Sequence, residues 1–166
     1  MSSLLLSEIR SPDELQGRSL EDLESLCNQM RAALVEKVLQ TGGHLGSNLG
    51  VVELTVALHS SFDFLRDKLV FDVSHQCYPH KMLTGRYAEF DGLRQTEGIS
   101  GFTNRFESDF DPLTAGHAGT AISFQFGGHV KHHHRHHHVG EHIFLGADRN
   151  GSPAVGAPRP TSAAPQ

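Results

Sequence analysis

Lys68-Leu69-Val70-Phe71-Asp72-Val73-Ser74-His75-Gln76 is the stretch on which the fold turns. Its apolar, β-branched core is too short for a helix and fits a buried strand over Lys68 to Val73. The polar Ser74-His75-Gln76 then falls at the carboxyl end of that strand. In open α/β sheets ligands bind at this edge, so the same nine residues predict a fold class and a place for a site.

Upstream, the pattern is helical. Ser11-Pro12-Asp13-Glu14 carries a capping serine, a proline at the first helical position and a glutamate placed to close a capping box. A second start at Ser19 opens a longer run. Leu20, Leu23, Leu26, Met30, Leu34 and Val38 recur at three- and four-residue steps, on one helical face. Thr41-Gly42-Gly43 ends it, since glycine takes left-handed dihedrals without steric cost. His44-Leu45-Gly46-Ser47-Asn48-Leu49-Gly50 reads as a glycine-punctuated loop, with Ser47 or Asn48 capping a helix through Val52, Leu54, Val56 and Leu58. Downstream, Pro79 opens a helical turn closed near Gly85. Gly92 to Asp111 reads as a long polar surface loop. Gly116-His117-Ala118-Gly119-Thr120 reads as a loop feeding a helix at about Ala121.

The composition bounds the function. A formal charge of −5 over 166 residues argues against a general nucleic-acid binder. Cys27 and Cys77 fit no metal-ligand spacing and suit a reducing cytosol. Leu4-Leu5-Leu6 is too short for a signal-peptide core or a membrane span, so the expectation is a soluble, cytoplasmic chain. Hydrophobic residues make up only 37%, and the deficit lies in the tail. Eight of the 13 histidines fall between His129 and His142, and Gly, Pro, Ala, Ser and Thr dominate after Asp148. Such a tail buries too little apolar surface to offset its ordering entropy, and residues 126–166 are expected to be disordered.

Five histidines precede that tail. His59, in helical register, and His80, after Pro79, read as structural. His44 and His117 each follow a glycine in a glycine-punctuated loop, and His75 follows the strand. Three imidazoles at loop and strand ends can converge on one cleft, where a pKa near 6.5 suits donation and proton transfer.

Two stretches, Thr41 to His59 and Asp72 to Arg86, closely resemble the 1-deoxy-D-xylulose-5-phosphate synthases. Gly98-Ile99-Ser100-Gly101-Phe102, Glu107-Ser108 and Gly116-His117 follow in that family's order. The resemblance spans roughly Leu5 to Ser123, and four ordered motifs are far more specific than a lone glycine pattern. It implies an α/β, transketolase-like fold, with residues 1–125 as the first part of a thiamine-diphosphate-binding domain and 126–166 as a divergent tail. It also implies a transferase that joins pyruvate to glyceraldehyde 3-phosphate with loss of carbon dioxide. That reaction supplies isoprenoid, thiamine and pyridoxal synthesis. Thiamine diphosphate serves as electron sink, Mg²⁺ bridges its diphosphate, and the enzyme is a homodimer. By the same resemblance His75, Gly116, His117 and Ala118 contact the cofactor, and His44 faces the reacting substrate.

The chain departs from the family at several points. Ser74 stands where glycine is usual, Ala118 where serine is usual, and Cys77 where the residue is small or aliphatic. The family's Gly-Asp-Gly strand end and a later asparagine hold Mg²⁺. Here Gly146-Ala147-Asp148-Arg149-Asn150 has the residue types at the wrong spacing, with no preceding strand of proper length, so no metal ligand is assigned. The change after Ser123 reads as a frameshift, a gene-model error or a truncated copy, and the chain alone is expected to be inactive. Two further classes stay open: a metal-binding protein using His132-His133-His134-Arg135-His136-His137-His138, and a non-catalytic interaction module. The motif series through His117 separates the first reading from the metal binder. The missing Mg²⁺ motif keeps the interaction module alive.

Overall fold

The computed structural model describes residues 4–119, Ala121 and two strand segments, 142–147 and 153–156. The first long element is α1, Leu20–Thr41. Ser19 Oγ accepts from the Asp22 backbone N–H at 3.1 Å, and Gly42, at φ 77°, ends the helix. Its predicted face holds: Leu26, Met30, Leu34 and Val38 are buried, while Leu20 at the first turn stays exposed. Ahead of it, Pro12–Leu15 forms a single 3-10 turn, with Glu14 Oε1 accepting from the Arg10 and Ser11 backbone N–H groups.

The stretch read as a loop at His44–Gly50 contains a short helix, α2, Leu45–Leu49, and α3 follows at Val52–Ser61. Neither Ser47 nor Asn48 caps α3; Val51 stands at its start with no side-chain cap. Asn48 is buried and serves the site instead.

β1, Lys68–Phe71, is the expected strand, with Leu69, Val70 and Phe71 all buried. Beyond it come α4, Tyr78–Lys81, a wider turn Met82–Arg86 that breaks at Thr84 and Gly85, and a 3-10 turn Tyr87–Gly92. The faces of α1, α3, β1 and α4 meet in one core that includes Met30, Leu34, Val56, Phe71, Tyr78 and Met82. Each such side chain contributes about 1.5–3 kcal/mol by leaving water. Among the described residues no helix is long and apolar enough to cross a membrane.

Two segments of the tail join the sheet. β2, His142–Ala147, runs parallel to β1, pairing Lys68 with His142 and Phe71 with Leu145. β3, Pro153–Gly156, pairs antiparallel with β2, giving the order β1-β2-β3. Ten residues of the stretch 126–166 thus lie in strands, and β2 runs through Gly146 and Ala147. The physical reason is local. Ile143-Phe144-Leu145 is a β-prone apolar run that composition averaged over the whole tail conceals. The histidine run, Asp148 to Asn150 and, beyond Ala121 itself, the helix expected there lie outside the described residues.

Candidate functional site

The chain leaves β1 through a forced bend. Val73 and Ser74 adopt φ of 60° and 69°, a left-handed conformation that costs L residues roughly 1–2 kcal/mol each. Ser74 N donates to Asp72 O at 2.7 Å, and Ser74 Oγ accepts from Thr103 N at 3.0 Å. Ser74 thus acts as a tether to the Ser100–Asn104 segment. Backbone strain of this kind gathers at functional sites, and this bend sits at the carboxyl end of the strand, where His75 follows.

His44 reaches the same place from the other side. Gly43, at φ 141°, must lack a side chain, because a Cβ there would lie 2.7 Å from Tyr78 Oη. The link between the two histidines is Asn48. Its Nδ2 donates to His44 O at 2.5 Å and to His75 O at 2.8 Å, while its Oδ1 accepts from Tyr78 N at 2.8 Å. One buried amide holds both histidine backbones and the start of α4.

The imidazoles of His44 and His75 come to 5.6 Å between centroids, edge to face, and His44 lies 5.9 Å from the Phe102 ring. His44 is exposed and His75 half-buried. Desolvation pulls the His44 imidazole below its ordinary 6.5, aided by the neighbouring His75 ring and the Arg94 guanidinium. A ring so placed is neutral at pH 7 and can give or take a proton. Among the described residues, His75 Nδ1 and Thr103 Oγ1 are buried without a hydrogen-bond partner. A buried polar atom left open at a strand end marks a place for a ligand group, because an unmet donor or acceptor costs about 1–3 kcal/mol.

Arg94 borders this cleft. Its backbone is left-handed, at φ 61°, and its side chain runs so close over Gly101 that a Cβ there would meet Arg94 Cγ at 2.9 Å. Arg94 Nη1 ends near Gly42, 3.9 Å from where a Cβ would stand. An exposed guanidinium near His44 suits an anionic group.

Gly116, His117 and Ala118 share one loop. Gly116 lies against Phe102, its Cβ position 3.9 Å from Phe102 Cδ2. Asp72 Oδ1 accepts from Gly119 N at 2.8 Å, which ties the loop to the strand end. His117 and Ala118 are exposed there. The structure thus brings His44 and His75 together directly and joins the Gly116 loop to them through Phe102 and Asp72.

Asp72, Arg94 and Phe102 were not singled out in the sequence, and Asn48 was read only as a helix cap. An asparagine in a glycine-punctuated stretch is a signal for Asn48, since its amide, once buried, must have its hydrogen bonds met. Nothing in local pattern distinguishes Asp72 or Phe102. Among the described residues there is no group of three or more His, Cys, Asp or Glu side chains that could hold a metal ion.

Residues 6–145 match the family profile described as 1-deoxy-D-xylulose-5-phosphate synthase. Curated 1-deoxy-D-xylulose-5-phosphate synthases of Cyanothece sp., Microcystis aeruginosa and Synechocystis sp. are 52%, 53% and 52% identical to the chain over 122 residues. These matches cover 74% of the chain and 19% of each relative, so the matched part spans about a fifth of the relatives' length.

Proposed function

Because the chain belongs to the 1-deoxy-D-xylulose-5-phosphate synthase family, we propose that it forms the first part of a thiamine-diphosphate-dependent transferase of α/β, transketolase-like fold, with the His44–His75 cleft as its site. The observation that carries this reading is the meeting of the two imidazoles at 5.6 Å beside the end of β1, with the buried His75 Nδ1 unpartnered among the described residues. That open nitrogen fits a polar group of a bound cofactor. Residues 1–125 make up this part of the cofactor-binding domain, and 126–166 a divergent extension of it.

Bound thiamine diphosphate would supply an electron sink for breaking and forming carbon–carbon bonds. His75, with Gly116, His117 and Ala118 on the facing loop, would hold it. His44, neutral and exposed at the cleft, would donate to or accept from the reacting substrate. Arg94 offers its charge to a carboxylate or phosphate. For the full-length protein we assign the joining of pyruvate to glyceraldehyde 3-phosphate with loss of carbon dioxide, in a cytoplasmic homodimer that uses Mg²⁺. No residue described here is assigned to the metal, and the chain by itself is expected to form no product.

Calorimetric titration of thiamine diphosphate, with Mg²⁺ present, into the chain joined to the remaining length of a curated relative tests this. An imidazole bond to a charged oxygen is worth about 1.5–3 kcal/mol, so His75→Ala and His117→Ala should each weaken binding roughly ten- to a hundredfold. His44→Ala should lower turnover more than affinity, as expected for a contact made mainly in the transition state. Parent-like binding by His75→Ala and His117→Ala would remove the assignment.

A further inference from the structure

The segment Ser100–Asn104, which carries Phe102, belongs to no helix or strand. Its path is fixed by side chains. Ser100 N donates to Glu107 Oε1 at 2.7 Å, Phe102 N to Ser100 Oγ at 3.1 Å, Thr103 N to Ser74 Oγ at 3.0 Å and Asn104 N to Asp111 Oδ2 at 2.8 Å. Thr103 O in turn accepts from Ala115 N at 3.1 Å, one residue before Gly116.

The two carboxylates in that set are themselves held from behind. Glu107 Oε2 lies 2.5 Å from Lys81 Nζ and 3.5 Å from Arg86 Nη1. Asp111 takes both Arg86 Nη nitrogens at 2.8 Å and His80 Nε2 at 3.1 Å. Lys81, Arg86 and Asp111 are buried. Two buried cations thus balance two carboxylates that grip the segment, Glu107 through the oxygen the cations leave free and Asp111 through Oδ2, which Arg86 Nη1 also holds. Buried ion pairs add little net stability, since apolar residues of similar volume often serve as well. Directional acceptors for a segment with no ladder of its own are a thing apolar packing cannot supply.

We propose that Lys81 and Arg86 are positioning residues for the His44–His75 cleft: through Glu107 and Asp111 they set the course of Ser100–Asn104 and thereby hold Phe102 against His44 and Gly116. The proposal rests on reading that cleft as the functional site. Its test reads the segment's geometry with no cofactor present, so failure to bind thiamine diphosphate would leave this result standing.

In the chain as it is, hydrogen exchange read by NMR should show the Ser100, Thr103 and Asn104 amides slowed about tenfold or more relative to the exposed Asp109 amide, the factor expected of a hydrogen bond of ordinary net strength. Lys81→Met should abolish the protection at Ser100 and the cross-peak between the His44 and Phe102 rings, while α1 amides such as Leu34 stay protected. Lys81→Arg should restore both. A mere loss of stability would instead lower protection everywhere at once. Unprotected Ser100 and Asn104 amides in the parent overturn the proposal. So does an unchanged His44–Phe102 cross-peak in Lys81→Met with α1 intact. Should Lys81→Met lose α1 protection too, Lys81→Met/Glu107→Gln decides, because it leaves no charge unpaired. Loss of the ring contact there supports the proposal, and retention overturns it.

Discussion

His80 Nε2 lies 3.1 Å from Asp111 Oδ1, on a carboxylate that already receives both Arg86 Nη nitrogens and the Asn104 backbone N–H, each at 2.8 Å. Burial pushes the Asp111 carboxyl up, but the hydrogen bonds from His80 and Arg86 outweigh it and hold the group well below the ordinary carboxylate range. His80 continues inward: its Nδ1 is 3.0 Å from His59 Nε2, and His59 Nδ1 is 2.8 Å from Thr55 O. Burial pulls both imidazoles below 6.5, for His59 with the His80 charge adding to it and for His80 against the opposing pull of Asp111.

That chain has three links, and two neutral imidazoles carry two ring hydrogens. The ionised carboxylate has the strongest claim, since charge-assisted bonds are roughly twice as strong as neutral ones. His80 should therefore be the Nε2–H tautomer, which leaves the single His59 ring hydrogen to serve either His80 Nδ1 or Thr55 O. Ring-nitrogen NMR at pH 7.5 should show Nε2–H on His80. A hydrogen on His80 Nδ1 would contradict the count.

A pH dependence follows from the same two rings. Their folded pKa values lie below the unfolded 6.5, so the unfolded chain binds protons that the folded pair refuses. Their contribution is complete above 6.5 and is lost as pH falls below it, by about 1.4 kcal/mol per pH unit per imidazole until the folded values are reached. The depressed Asp111 value acts in the same direction, but only as pH falls below 3.8, its unfolded value. Urea unfolding midpoints should drop between pH 7 and pH 5.5, and less so in His59→Gln.

Arg86→Met should destabilise the chain by about 3–5 kcal/mol, because it leaves Asp111 buried with its charge largely uncompensated. Arg86→Met/Asp111→Asn should recover much of that loss. Denaturant titration of the two variants checks it, and equal losses would mean that the charge is not the cause.

Asn48→Asp removes the donor shared by two carbonyls and sets an oxygen against both. The cost should be about 2–4 kcal/mol, more than for Asn48→Ala, which removes the bonds without adding repulsion. The His44 and His75 rings should separate in either variant, which loss of the cross-peak between them would report.

Ser74 supports a comparison of two substitutions. Ser74→Ala keeps the left-handed strain and loses the bond to Thr103 N, and should cost about 1–3 kcal/mol. Ser74→Gly loses the same bond but relieves roughly 1–2 kcal/mol of strain, and should fall within about 1 kcal/mol of the parent. If alanine is tolerated as well as glycine, the bend at Ser74 is not strained.

What the sequence disclosed and what it hid divide along physical lines. β1 and the α1 face were legible because burial imposes a period on the chain, and the place of His75 followed from the strand's end. Asn48 was assigned to a cap because its local setting matches one; its three partners include residues far away in sequence. Glu107 and Asp111 looked like loop polarity, and only their pairing with Lys81 and Arg86 reveals that the Ser100–Asn104 segment before them is anchored. β2 was missed because three apolar residues were averaged with the polar tail around them.

The parallel pairing of β1 with β2 has a bearing on the order of events during synthesis. Phe71 pairs beside Leu145, so residues 72–141 form a closed excursion between the two strands. His75, Phe102, the Glu107–Asp111 clamp and the Gly116 loop all lie within it, while His44 lies before it. Closing so long an excursion is entropically slow, and pairing of non-local strands sets the pace. A nascent chain halted anywhere before residue 142 would leave that edge of Leu69-Val70-Phe71 unpaired.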